Sequence, residues 1–138
     1  MIGLDTNVLV RYLVQDDPEQ ARLASAAMAG LTEEAPGWVA REVMIETVWV
    51  LSRAYRLSRH EIAVAIDGLL AARELVIEEA DRVGLATQRW RDGGAGFADQ
   101  MIALAGQEAG CRETLTFDQK AAGIPGMRLL GQGDGAGD

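Results

Sequence analysis

Short apolar runs recur along this chain, and the stretches between them have helical spacing. The runs are IGL at 2–4, WVA at 38–40, LVI at 75–77, TLTF at 114–117 and MRLL at 127–130. Between them, Ser58–Arg73 shows the helical pattern most plainly. Ile62, Ile66, Leu69 and Leu70 fall at i, i+4, i+7 and i+8, which puts them on one face of a helix. Strands separated by helices return to the sheet in the same direction, because each crossover carries the chain back to its start. The alternation therefore predicts an α/β chain with a mainly parallel sheet covered by helices on both faces. In such a sheet, binding residues collect at the carboxyl ends of the strands. No internal repeat or long linker divides the chain, so a single domain is expected over 1–130. GQGDGAGD (131–138) has no side chain able to pack and reads as a flexible tail.

Local signals set the expected boundaries. Thr6 reads as the N-cap of a helix carrying Val8, Leu9, Tyr12 and Leu13. Asp16, Asp17 and Pro18 start a second helix, since proline fits a first turn, and Gly30 ends it. Further helices are expected over Arg41–Tyr55, Asp81–Arg91 and Phe97–Ala109, with Gly93, Gly94 and Gly96 breaking the chain between the last two. A short helix is expected over Asp118–Ala122.

Composition removes several chemistries. Cys111 is the only cysteine, so the chain holds neither an internal disulfide nor a cysteine zinc cluster. His60 is the only histidine and sits between Arg59 and Glu61, as on a solvated helix start. Serine–histidine catalysis and histidine metal sites are thereby disfavoured. No run approaches the ~20 apolar residues of a membrane span. Asp5 interrupts what a secretory signal would need, so a cytoplasmic location is expected. The net charge is −8 and Lys120 is the only lysine. Such a chain does not bind nucleic acid through bulk charge, although cations held by its acids would relieve the local repulsion.

Most of the 21 acidic residues fall on polar faces or in turns. Glu33, Glu34, Glu78 and Glu79 read as ordinary solvated charges. Four acids stand apart. Asp5 follows the first strand directly, with helix capping as the alternative, although capping by Thr6 would lessen the need for Asp5 in that role. Asp118 follows TLTF in the same way, with helix capping as the alternative. Two strand-end aspartates of a parallel sheet fall on one edge and lie close if their strands are neighbours. Glu46 is the only charge in VMIETVWVL, where an unpaired buried carboxylate costs several kcal/mol by order of magnitude. An ion pair with Arg11 or Arg53 is the alternative. Asp99 enters the first turn of its helix, a place the helix dipole also favours. Carboxylates gathered without lysine or histidine repel one another unless a hard cation joins them. Mg²⁺ or Mn²⁺ takes oxygen ligands, and with no nucleophilic side chain present the chemistry indicated is phosphodiester hydrolysis by metal-activated water.

At this point DTNVLVRYL, the lone glutamate of VMIETVWVL, FADQMIALA and TLTFD together resemble the PIN-domain proteins, in order and in spacing. The chain is similar in particular to the VapC-type toxins, the ribonuclease halves of type II toxin–antitoxin pairs. The resemblance covers about residues 1–130 and implies a three-layer α/β/α fold with a central, mainly parallel sheet. It implies an endoribonuclease whose acidic pocket holds Mg²⁺ or Mn²⁺. Asp5 and Asp99 would be the main metal ligands, Glu46 would complete the cluster, and Asp118 would be the fourth acid. Thr6, Asn7 and Thr116 match polar positions beside the pocket. An RNA substrate, a cognate antitoxin and a homodimer follow as the implied partners. One departure stands out: many relatives have DFAD where this chain has GFAD, so Gly96 removes a fifth acid.

Other readings fit less well. A HAD-like phosphatase needs a second acid two residues after the first, and Asn7 stands there. No GxxxxGK[ST] loop is present, which excludes a P-loop nucleotidase. A non-catalytic PIN-fold binding module is the remaining alternative. Arg89 and Arg91 read as a solvated helix face, with contact to RNA phosphate as the other option.

Overall fold

The computed structural model describes residues 1–131. The chain forms two compact units, Met1–Gly84 and a second from Leu85 onward, with the boundary inside a helix. From residue 132 on, the expected tail lies outside the described residues.

The first unit begins with β1 (Ile2–Gly3), α1 (Thr6–Val14) and α2 (Pro18–Ala29). It continues through β2 (Gly37–Val39), α3 (Arg41–Arg53), α4 (Arg59–Ala71), β3 (Leu75–Ile77) and the start of α5 (Ala80–Arg91). All three strands are parallel, in the order β1-β2-β3, with Gly37 opposite both Ile2 and Leu75. A glycine is needed at this central position for space. A Cβ on Gly37 would stand 2.9 Å from Leu31 Cδ1, 2.9 Å from Leu4 Cδ1 and 3.1 Å from Leu75 Cδ2. The core takes Leu9 and Val10 from α1, Met44, Val48 and Leu51 from α3, and Ile62 and Ile66 from α4. Full burial of a side chain such as Leu9 contributes about 1.5–3 kcal/mol.

Most starts and stops follow the local signals. Asp17 caps α2 by accepting from the Gln20 N–H at 3.0 Å, and Pro18 opens the helix. Ser58 and Glu61 form a reciprocal capping box on α4, with His60 exposed in the first turn. The apolar run at 2–4 reads as a buried strand of a covered sheet, and here the structure differs. β1 is an edge strand whose Ile2 is 63% exposed, and only Leu4 behind it is buried. Glu78 is a second correction, because it is not merely solvated. Its Oε1 accepts from the Arg41 N–H at 3.0 Å, where Ala40 offers α3 no side-chain cap.

The second unit holds the end of α5, then α6 (Phe97–Glu108), β4 (Thr114–Thr116), a 3₁₀ turn at Ala121–Gly123 and β5 (Met127–Leu129). β4 and β5 are parallel. The expected helix at Asp118–Ala122 is instead a side-chain-closed turn running into that 3₁₀ segment. Ala95, Ala103 and Ile124 form one buried cluster of the unit, with Met127 packed against them. Gly93 and Gly94 take φ of +108° and +84°, a left-handed conformation that favours glycine. Trp90 and Phe97 close this turn edge to face, with centroids 6.0 Å apart. The parallel strands therefore form two ladders, β1-β2-β3 in the first unit and β4-β5 in the second.

Candidate functional site

In the first unit, β1 delivers the chain to Asp5, and α1 starts at once. Asp5 is the N-cap, its Oδ1 accepting from the Thr6 N–H at 2.7 Å. This corrects the expected capping by Thr6. Thr6 is instead buried in the first turn, and its hydroxyl donates to Glu46 Oε1. The step from Thr6 to its partner on α3 spans 40 residues, so the fold and not local sequence creates the contact. Glu46 is also corrected. Its side chain is exposed, because α3 turns Met44, Thr47, Val48 and Leu51 to the core and leaves Glu46 and Trp49 outside. The alternative, an ion pair with Arg11 or Arg53, does not form.

Asp5, Thr6, Asn7, Arg11, Glu46 and Tyr55 line one cleft of about 400 Å³. Its cation is already engaged. Arg11 Nη1 lies 2.8 Å from Asp16 Oδ1 and donates to Tyr55 Oη at 2.8 Å, and its Nε donates to Gln20 Oε1 at 2.7 Å. Tyr55 in turn donates to Asp16 Oδ2 at 2.9 Å. This bond from Tyr55, with the Arg11 charge alongside, holds the Asp16 carboxyl below its ordinary value of 3.8. Arg11 is thus tied away from Asp5 and Glu46. Asp5 Oδ2 and Glu46 Oε2 accept no hydrogen bond among the described residues.

In the second unit, Gly96 is the N-cap of α6 and gives no side-chain bond. Asp99, half-buried in the first turn, has neither a hydrogen bond nor an ion pair among the described residues. A Cβ on Gly96 would stand 3.6 Å from Asp99 Oδ2, an ordinary contact, and φ at Gly96 is −64°. The backbone therefore does not require glycine there. Asp118 is exposed and occupied. Its Oδ1 accepts from the Lys120 and Ala121 N–H groups at 2.8 and 3.2 Å, and Thr116 Oγ1 accepts from the Asp118 N–H at 3.0 Å. The alternative of helix capping is therefore not met as such: with Thr116, the Asp118 side chain closes a turn ahead of the 3₁₀ segment.

The four acids divide two and two between the units. Asp5 and Glu46 come together, and within neither unit do three or more His, Cys, Asp or Glu residues of the described chain gather as a metal cluster. A second cleft, of about 410 Å³, lies in the second unit and is lined by Arg89, Asp92, Gln100 and Lys120 with the turn glycines. Gln100 was not anticipated. A signal for it exists in the sequence: Phe97, Gln100, Met101 and Leu104 share the buried face of α6, so Gln100 is a polar residue in an apolar stripe. Arg89 also departs from the expected solvated face, since its Nη1 is buried without a partner.

Comparison with known proteins adds the family. No curated protein sequence matches the chain. Among solved structures, the chain is similar to the crystal structure of Mycobacterium tuberculosis VapC20, a toxin that cleaves the sarcin–ricin loop. The identity is 18%, with 90% of this chain and 96% of that one covered, at a TM-score of 0.44. The family model of the PIN domain matches residues 2–126, and the chain belongs to the PIN domain family.

Proposed function

We propose that this chain is a divalent-metal-dependent endoribonuclease and the toxin of a type II toxin–antitoxin pair, with residues 1–130 acting as its nuclease domain. The observation that carries the nuclease reading is the meeting of Asp5 and Glu46 in one cleft of a PIN-family chain. The toxin reading rests on DTNVLVRYL, VMIETVWVL, FADQMIALA and TLTFD, and with it come a cognate antitoxin, a homodimer and a cytoplasmic location. No helix of the described residues is long and apolar enough to cross a membrane.

The donors fit a hard cation. The Asp5 cleft offers carboxylate, amide and hydroxyl oxygens, with no cysteine or histidine. Mg²⁺ is commonly held by one or two carboxylates and keeps several waters, so the pair suffices as a donor set. Asp5 would present Oδ2 while Oδ1 stays on the Thr6 N–H. Glu46 would present Oε2, its orientation held through Oε1 by the Thr6 hydroxyl. Asp99 and Asp118 are the ligands proposed from the second unit, Asp99 with both oxygens open and Asp118 with Oδ2. When bound, the cation shields phosphate charge and lowers the pKa of water. Arg11 serves by staying on Asp16 and Tyr55, since a free guanidinium beside Asp5 would displace a cation.

The test is cleavage of a structured RNA by the purified chain with Mg²⁺, with Mn²⁺ and with EDTA, read beside the thermal midpoint under each condition. Cleavage and a raised midpoint with either metal, both lost in EDTA, are expected. Undiminished cleavage in EDTA would overturn the metal reading. Expression without a partner should arrest growth, and normal growth with abundant soluble protein would favour a binding module.

A further inference from the structure

The second-unit cleft contains two buried polar atoms with nothing to bond to. Gln100 is 5% exposed, and its Oε1 has no hydrogen-bond partner among the described residues. Arg89 Nη1 is likewise buried and unpartnered. Leaving such an atom unsatisfied costs stability, and proteins keep few of them. Both residues line the same cleft of about 410 Å³, one from the end of α5 and one from the first turn of α6. The glycine turn at 93–94 and the Trp90–Phe97 contact hold these two helix ends together.

The donors and acceptors indicate what belongs there. Arg89 offers N–H donors and a fixed positive charge, and Lys120, which lines the same cleft, is exposed and has no ion pair among the described residues. Guanidinium and ammonium together suit phosphate oxygens. Gln100 Oε1 is an acceptor and needs a donor from the ligand, which a phosphate diester lacks. Asp92 is a second acceptor on the rim and would repel an anion lying against it. The ligand must therefore present a phosphate and, beside it, a hydroxyl donor. A ribonucleotide unit has both, in its phosphodiester and its 2′-hydroxyl, and the 2′-hydroxyl is what distinguishes RNA from DNA.

We infer that this cleft is a phosphate–ribose subsite for single-stranded RNA, with Arg89 and Lys120 on the phosphate and Gln100 accepting from the 2′-hydroxyl. The inference rests on the nuclease reading above and deepens it. Asp99 is the residue before Gln100, and Asp118 lies two before Lys120, so the subsite is built on the segments that bear two of the proposed acids. The unpaired state of Arg89 and Gln100 then has a reason: the partners arrive with the substrate.

The test measures binding of one short labelled sequence, as RNA, as DNA and as 2′-O-methyl RNA, by anisotropy in EDTA so that nothing is cut. Wild type should bind RNA about fivefold more tightly than DNA or the methylated strand, the worth of one hydrogen bond. Gln100→Leu should abolish that preference without weakening DNA binding, and its thermal midpoint should not fall. Lys120→Gln should weaken RNA and DNA alike and lower the salt slope by about 0.7, the single-strand value for one phosphate contact. Equal binding of the three strands by wild type overturns the subsite, and this arm needs no variant to fold. So does wild-type behaviour from both variants. Metal-dependent cleavage is read separately. If wild type cuts RNA without discriminating the strands, the subsite fails alone. If it neither binds nor cuts, the nuclease reading fails and the subsite with it.

Discussion

The two clefts handle polar groups in opposite ways. In the first unit, Asp5, Thr6, Glu46 and Arg11 all have bonds within the chain. That cleft is prepared, with each carboxylate fixed through one oxygen and open at the other. In the second-unit cleft, Arg89 Nη1 and Gln100 Oε1 have none among the described residues. That cleft is left incomplete. The first unit has one comparable atom, Thr47 Oγ1, but Thr47 lines neither cleft beside α1. The difference teaches where stability and function can separate: satisfied groups hold the fold, and an unsatisfied group that lines a cleft, unlike Thr47, can be completed by a ligand.

The comparison is open to attack by substitution. The largest folding effect should come from Gly37→Ala, which crowds three leucine methyl groups and should cost about 1–3 kcal/mol in urea unfolding. Thr6→Val removes the hydroxyl that Glu46 relies on and should cost about 1.5 kcal/mol, the range for a bond to a charged group. Gln100→Leu should show no such loss, and equal losses would erase the contrast. Asp5→Ala should cost about 1 kcal/mol through the lost cap, whereas Asp5→Asn keeps a good capping residue and should cost far less. Gly96→Asp should stabilise by a few tenths of a kcal/mol without metal, because Asp caps better than Gly. With Mg²⁺ present the gain should grow, and a loss under both conditions would show that Gly96 is structurally required.

The smallest effect is acid-linked. Asp16 titrates below its ordinary 3.8 in the folded chain, so its contribution is fully present above that value. It disappears as pH falls from 3.8 through the lowered pKa. Tyr55→Phe should remove part of this acid-side loss, measured as the change in unfolding midpoint between pH 7 and pH 3.

Much of the fold was legible because its signals are local. Pro18, Gly30, the Ser58–Glu61 box and the Ile62–Leu70 stripe each act within a few residues, and the helices they predict are present. The α/β class and the parallel strands followed from their alternation. The site was less legible because its decisive contacts are long-range. Whether Asp5 or Thr6 caps α1 depends on Glu46, which approaches Thr6 only after α3 has packed. Glu46 looked buried because its neighbours are apolar, but α3 leaves Trp49 60% exposed on the same side. Arg89 looked solvated because a charge on a helix usually is. Its Nη1 is buried at the cleft that Arg89 lines with the turn glycines and Gln100, residues that no local pattern joins.

The most direct measurement compares RNA cleavage by wild type, Asp5→Asn and Asp99→Asn at matched folded fraction in Mn²⁺. Each variant should lose at least about a hundredfold in rate, about 2.7 kcal/mol at the transition state, with the thermal midpoint of Asp5→Asn close to wild type. If Asp5→Asn cuts RNA as fast as wild type, Asp5 is a helix cap and no more, and the proposed metal site is wrong.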